Sequence, residues 1–484
     1  MNFSSPLFLF LFLPVLLLLY VFLLRPQARN GFLLVASLFF YCWGEGRFAL
    51  VLLLSIVGNY LLGLWLGQSQ KRGSGRLLFW IAVSFNLLLL GFFKYSHFAA
   101  GQFRFPLGIS FFTFQALTYI IEAYRRTIPV QRNPLPLALY LANFSVISAG
   151  PIVRFRSFFN QLHREITLDD LTPGVRRFVI GLGKKVLLAN PLATIVDPIF
   201  TLKQADLSLP LAWLGIVAYM LQIYLDFSGY TDMAVGLGRM LGFTFPENFH
   251  YPYLARSITD FWQRWHKSLS TWLRDYLFLP LAYALSRRIK RERLWGRRSE
   301  DWIYLISVLL TMTACGFWHG AAWTFVVWGV MQGIFMGVEH LGWRRFLRRR
   351  SAVFSHLYAL LAIGTGLVFF RADNLGSAVG YLRTLFGFGL TAHGPNGPIA
   401  YPGLYLDPFR IFIIMAALAA VTPFPAALFS RWRPVAGSTI ALRQRQWLRW
   451  SYALGYNLFL AAVVLLCAMS LAQGTANPFI YFQF

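Results

Sequence analysis

Apolar runs long enough to cross a bilayer recur along this chain, separated by short polar or basic segments. A span needs about 20 mostly apolar residues. Pro6 to Leu24, with Pro14 in its middle and Arg25 and Arg29 behind it, lacks a basic leading region and a small-residue cleavage site. It reads as a retained span with its N-terminus outside. Phe32 to Trp43 and Phe48 to Leu66 follow, hinged at Gly44-Glu45-Gly46, and Lys71-Arg72 puts the next loop inside. Leu77 to Phe93 leads out, and Leu107 to Ile121 returns to Arg125-Arg126.

Between Asn133 and Phe200 the pattern is less regular. Leu135 to Ala149 is short and ends in Gly150-Pro151-Ile152-Val153-Arg154-Phe155, a sequence no lipid-facing helix tolerates. A re-entrant or interior segment is expected there. Pro173 to Leu188 carries Arg176, Arg177, Lys184 and Lys185, which suits a helix at the interface. Leu209 to Leu225 reads as a span running straight into Asp226-Phe227-Ser228-Gly229-Tyr230-Thr231-Asp232. That stretch is a polar pocket or a helix break, with a membrane-exit loop as the plainer alternative.

Ser257 to Leu277 carries Ile258, Phe261, Trp262, Trp265, Leu269, Trp272, Leu273 and Tyr276 at three- and four-residue spacing. The spacing predicts one amphipathic helix at the cytoplasmic interface, with His266 at ~80° from the stripe centre, on the seam between its faces. The longest apolar run, Asp301 to Leu341, would measure ~60 Å as one helix, twice the hydrocarbon thickness. It is therefore two spans or one broken span. Trp318-His319-Gly320 lies in its middle, and Gly316 and Gly320 mark the place where the helix can break. An imidazole at that depth is expensive, and such groups are functional more often than not; the plainer alternative is a core histidine bonded to a neighbouring carbonyl. Val353 to Phe370, Ile411 to Leu428 and Tyr452 to Leu471 complete ten to twelve crossings in one membrane domain, 1–484. Its chemistry-bearing motifs fall at about 107–341, and the C-terminal spans and extracytoplasmic tail at 353–484. No internal repeat is visible.

Composition fits this picture. The chain is 57% hydrophobic and only 13% charged, more apolar than a soluble domain of this length can bury. The net charge of +26 would suggest nucleic acid in a soluble protein. Here the basic residues cluster between spans, at Arg287 to Arg298, Arg344 to Arg350 and Arg431 to Arg449, as cytoplasmic loops facing anionic lipids do. No nucleic-acid partner is needed. Cys42, Cys315 and Cys467 are isolated in apolar surroundings and read as small core residues.

Several motifs, in this order, carry a resemblance. They are Asp226 to Ala234, Asn248-Phe249 with Pro252-Tyr253, Phe261 to His266 running into Leu269 to Tyr276, and Trp318-His319-Gly320. The chain is similar over nearly its whole length to the membrane-bound O-acyltransferases, and most to their bacterial alginate O-acetyltransferase branch. Phe3-Ser4-Ser5, Gly150-Pro151 with Arg154-Phe155, and Phe370 to Asn374 resemble that branch too. The resemblance implies an all-α polytopic helical bundle, with re-entrant and interfacial helices around a transmembrane tunnel, in the bacterial inner membrane. It implies that His319 is the catalytic histidine and His266 the second conserved position. It also implies a cytosolic acetyl thioester donor such as acetyl-CoA, with no bound cofactor. A periplasmic SGNH-type or alginate-acetylase-type acetyltransferase and a polysaccharide synthesis complex would be the partners. The activity implied is acetyl transfer across the membrane for O-acetylation of an exopolysaccharide, alginate or cellulose; D-alanyl or other acyl transfer to an envelope polymer is the alternative.

The residues suit acyl transfer, which needs a base for the hydroxyl proton and a group to stabilise the oxyanion. His319 is expected to be the general base and His266 to orient the acceptor or polarise the thioester carbonyl. Asp226, Ser228, Tyr230, Asp232, Trp262, Trp318 and Arg154 are candidate substrate- or tunnel-lining residues. No Gly-x-Ser-x-Gly elbow and no metal-ligand histidine spacing occurs. The aromatic tail Phe479 to Phe484 carries one phenol, Tyr481, a candidate acyl relay to a periplasmic partner; a membrane-belt anchor is the alternative. A polysaccharide or lipid transporter, with His319 and the Asp226/Asp232 pair as proton relays, would instead call for inverted repeats. A non-enzymatic scaffold gives no reason for histidines at depth.

Overall fold

The computed structural model describes residues 2–69, 74–95, 106–164, 166–388, 401–431, 442–474 and 479. The fold is all-α. Eight helices among the described residues are long and apolar enough to cross a membrane, and two shorter apolar helices accompany them. The described strands form one two-residue hairpin, Arg293–Leu294 against Arg297–Arg298. It turns through Trp295 and Gly296, both at positive φ, as a tight two-residue hairpin requires.

The helices that matter here run α1 Phe8–Leu23, α2 Pro26–Glu45, α3 Ala49–Ser69, α4 Gly75–Tyr95 and α5 Ile109–Tyr124. Next come α6 Pro134–Ala142, α7 Phe144–Ile147, α8 Asp169–Phe200 and α9 Leu209–Met240, α10 Ile258–Arg264 and α11 Lys267–Leu273. The rest are α12 Ser299–His319, α13 Trp323–Arg348 and α14 Ala352–Arg371, α15 Leu375–Leu385, α16 Pro408–Ala420, α17 Phe424–Arg431 and α18 Leu442–Ala472.

The chain forms two compact units, residues 1–181 with 230–247 and residues 182–229 with 248–484. In the first, the hinge between α2 and α3 falls at Gly46, whose φ of 56° and ψ of −121° suit glycine alone. Asn59 on α3 and Asn86 on α4, both fully buried, exchange amide hydrogen bonds at 3.0 and 2.7 Å. Each amide answers the other where water is absent. The segment expected to be interior is so: every residue from Pro136 to Val153 is buried. It breaks at Asn143, whose side chain accepts from Ser145 N at 3.2 Å, and Tyr140 donates its hydroxyl to the Val153 carbonyl at 2.6 Å.

Three sequence expectations are corrected. Pro173 to Leu188 is not a separate helix at the interface but part of α8, a 32-residue helix long and apolar enough to cross a membrane, in which Lys185 is buried. The polar stretch after Leu225 is neither a break nor a loop: α9 runs through it to Met240, because its carboxylates find cationic partners on α8. Ser257 to Leu277 is not one helix, because the backbone leaves helical geometry at Trp265 and His266.

In the second unit, the run from Asp301 to Leu341 is two helices, as its length requires. Gly316 on α12 and Gly329 on α13 let the pair close: a Cβ on Gly329 would lie 2.3 Å from the Met312 carbonyl oxygen and 3.0 Å from the Gly316 Cα. Small residues at such a crossing are what let membrane helices pack backbone to backbone. Gly329→Leu is therefore expected to destabilise the detergent-solubilised protein by about 1–3 kcal/mol in thermal unfolding. Gly31→Ala on α2, where a Cβ meets nothing within 4 Å, should be neutral or slightly stabilising.

Candidate active site

The site begins where α12 ends. Gly320 is extended, and a Cβ there would lie 2.3 Å from the Phe325 ring, so only glycine lets the chain turn under that ring into α13. The turn leaves His319 as the last residue of its span, 5% exposed. Its imidazole is walled by aromatic edges and faces, with Trp318 at 4.7 Å, Trp328 at 5.1 Å and Phe370 at 5.1 Å between ring centroids. It lines a cavity of about 20 Å³ together with Ile223, Phe261, Trp265, Gln332 and Ile363 among others. That is room for about one water.

Phe370 to Asn374 serves the same wall. Phe370 meets His319, Arg371 pairs with Asp197 at 2.8 Å, and Asn374 Oδ1 caps α15 by accepting from Ser377 N at 2.9 Å.

His266 arrives by a different route. It stands between α10 and α11 with φ 43° and ψ 52°, a left-handed conformation that costs a non-glycine residue roughly 1–2 kcal/mol. Such strain persists only where surroundings over-determine it, and it gathers at functional sites. The surroundings here are residues 248–250. The Asn248 carbonyl accepts from Lys267 N at 2.9 Å, Asn248 Oδ1 accepts from Ser268 N at 3.1 Å and Ser268 Oγ at 3.0 Å, and His250 N donates to the Arg264 carbonyl at 2.9 Å. The first two amides of α11 are thus capped by Asn248, far upstream in the chain.

That cap also sets the protonation of the imidazole. The Ser268 backbone N–H can only donate, so the Asn248 atom facing it is the carbonyl oxygen. The same oxygen lies 3.1 Å from His266 Nδ1, so Nδ1 carries the proton and Nε2 the lone pair. His266 is fully buried, and burial pushes its pKa from 6.5 down to about 3. The ring is neutral at physiological pH. The Phe227 ring stands perpendicular to it at 4.7 Å between centroids, and Phe479 packs on Phe227 at 5.6 Å.

The other candidates divide. Trp262 donates its indole N–H to Gln332 Oε1 at 3.1 Å and lies 5.9 Å from Trp328, so it belongs with His319, as Trp318 does. Trp265 lines the His319 cavity, and Phe227 touches both Trp265 and His266. Asp226 forms a buried ion pair with Lys185 at 2.5 Å, and Ser228 is buried nearby in sequence. Tyr230 and Asp232 belong to the other compact unit, where Tyr230 bonds Ser148 and stacks on Phe3, and Asp232 pairs with Arg177 at 2.7 Å. Arg154, in that unit too, is exposed. Tyr481 lies outside the described residues.

The sequence placed Lys185 at the interface and Asn248 within a motif without a role of its own, and it singled out neither Gln332 nor Glu339. Gln332 and Glu339 carried a legible signal, since each is a polar side chain in or beside the long apolar run.

The profile of the membrane-bound O-acyltransferase family matches residues 36–365. A probable alginate O-acetylase of Azotobacter vinelandii is 36% identical, with 100% of both chains covered. A peptidoglycan O-acetyltransferase of Helicobacter pylori is 35% identical over 80% of each chain. A teichoic acid D-alanyltransferase of Bacillus subtilis is 31% identical over 64% of this chain and 80% of its own. With its bundle of apolar helices, its histidine at the end of a span and these matches, the chain belongs to the membrane-bound O-acyltransferase family and is a multi-pass membrane acyltransferase.

Proposed function

We propose that this protein, in the bacterial inner membrane, takes an acetyl group from a cytosolic thioester such as acetyl-CoA and passes it outward for O-acetylation of an exopolysaccharide. Alginate is the favoured polymer, in keeping with the names of full-length relatives. The observation that carries the reading is the His319 imidazole, held at the end of a span where it lines a cavity. His319 takes the acceptor hydroxyl proton as its oxygen attacks the thioester carbonyl carbon; the tetrahedral adduct expels the thiolate, which takes that proton. A periplasmic acetyltransferase working with the polysaccharide synthesis complex then completes transfer to polymer, and Tyr481 is a candidate carrier between the two. D-Alanyl transfer is the second reading, favoured by the teichoic acid relative.

The tautomer narrows the role of His266. Polarising a carbonyl requires an N–H at Nε2, and that nitrogen carries the lone pair. Accepting a hydrogen bond from the acceptor hydroxyl is what this ring does, which orients the nucleophile.

The direct test is polymer acetyl content in a secreting strain. His319→Ala should lower acetylation by on the order of 10²–10⁴ with membrane protein level unchanged. Equal loss of protein would return the histidine to a structural role, and alanine released from the polymer would favour the D-alanyl reading. Tyr481→Phe should abolish polymer acetylation; unchanged acetylation would discard the relay. Because His266 is neutral above about pH 3, it should add no inflection to the rate profile between roughly pH 5 and 9. Asn248→Leu, which frees the tautomer, should lower turnover by roughly tenfold or more without creating such an inflection.

A further inference from the structure

Glu339 lies on α13 beyond the His319 cavity, and it is 1% exposed. Its carboxylate accepts four hydrogen bonds. Oε1 takes Ile258 N at 2.6 Å and the Tyr358 hydroxyl at 3.2 Å; Oε2 takes Thr259 N at 2.9 Å and Thr259 Oγ1 at 2.6 Å. Ser257 Oγ takes the next amide, Asp260 N, at 3.0 Å. The first three amides of α10 are therefore all accounted for, two of them by a side chain about eighty residues away in sequence.

A seven-residue helix is too short to hold its own direction, since helices below about 12 residues are marginal alone. A second anchor supplies it. Gln332 stands seven positions before Glu339, about two turns and ~10 Å along the same face of α13, and receives the Trp262 indole N–H at 3.1 Å. Trp328, four positions earlier again, meets the His319 ring. One face of α13 thus holds the start of α10 through Glu339 and its later turn through Gln332, and also walls the first histidine through Trp328. Beyond the second anchor α10 leads directly to Trp265, which lines the His319 cavity, and then to His266.

The geometry points to Glu339 as a positioning residue: with Gln332 it fixes α10 on α13, and so sets where Trp265 and His266 stand relative to His319. A buried carboxylate receiving four donors is costly to build for stability alone, because an apolar contact of the same size would serve as well. A two-point attachment to a helix that ends at a strained histidine is the arrangement placement requires.

This inference rests on the acyl-transfer reading, and two measurements separate its failure from that reading's. The first is hydrogen exchange on the detergent-solubilised full-length protein. Glu339→Gln should speed exchange across residues 258–268 while leaving α3 and α4 unchanged. The second is steady-state acetyl transfer in membrane vesicles with labelled acetyl-CoA as the probe. Turnover should fall on the order of tenfold to a hundredfold, with the KM for the donor unchanged, because displacement of reacting groups by about 1 Å costs that much. Glu339→Asp, which keeps the carboxylate, should recover part of the loss. Asn59→Ala, which breaks the buried amide pair of the other unit, serves as control: at a comparable loss of melting temperature it should keep most of its turnover. If Glu339→Gln loosens residues 258–268 and turnover holds, or if turnover in both variants follows melting temperature alone, Glu339 is a fold residue and the inference falls. Wild-type vesicles with no transfer would instead count against the acyl-CoA donor, while exchange would still report on the anchorage.

Discussion

A polar group surrounded by apolar helices has no water to turn to, so it must meet its partner inside the protein. That constraint organises this chain. Asn59 and Asn86 satisfy each other across α3 and α4, Lys185 neutralises Asp226, and Arg177 reaches Asp232. The same rule explains why α9 stays helical through a stretch as polar as Asp226 to Asp232. Each carboxylate has a cation on α8, and breaking a buried ion pair typically costs about 3–5 kcal/mol.

The two histidines obey the rule in different ways. His266 is bound into a polar cap: its Nδ1 is tied to Asn248, its backbone is forced left-handed, and the first amides of α11 are held by the same asparagine. His319 is enclosed by aromatic rings and opens onto a small cavity. A ring fixed in one tautomer suits orientation, and a ring beside a cavity suits proton exchange with something that enters it. Trp262, Trp265 and Phe227 join the two surroundings into one aromatic wall.

Much of this was legible before any coordinates. The apolar runs located the candidate spans other than α8, and the ~60 Å length of Asp301 to Leu341 required a break near His319, which is where α12 ends. The interior segment ending at Gly150-Pro151 and the hinge at Gly44-Glu45-Gly46 were readable because proline, glycine and polar residues cannot sit against lipid without a structural reason. What misled was the helical wheel of Ser257 to Leu277. Its stripe is real in composition, but a wheel assumes an unbroken backbone, and the break comes from Asn248, which no window around His266 contains. Lys185 was misplaced for a related reason: periodicity registers a lysine as surface unless its distant carboxylate is known.

The sequence by itself determined the class of the protein: an all-α membrane bundle with a histidine buried at the end of a span. Those features follow from the hydrophobic transfer of side chains and the length of a helix turn, both local quantities. Only the tertiary structure decided which nitrogen of His266 carries its proton, which lysine answers Asp226, and which glutamate holds the start of α10. Each of these is a hydrogen bond between residues far apart in the chain, and its geometry exists only once the helices have packed.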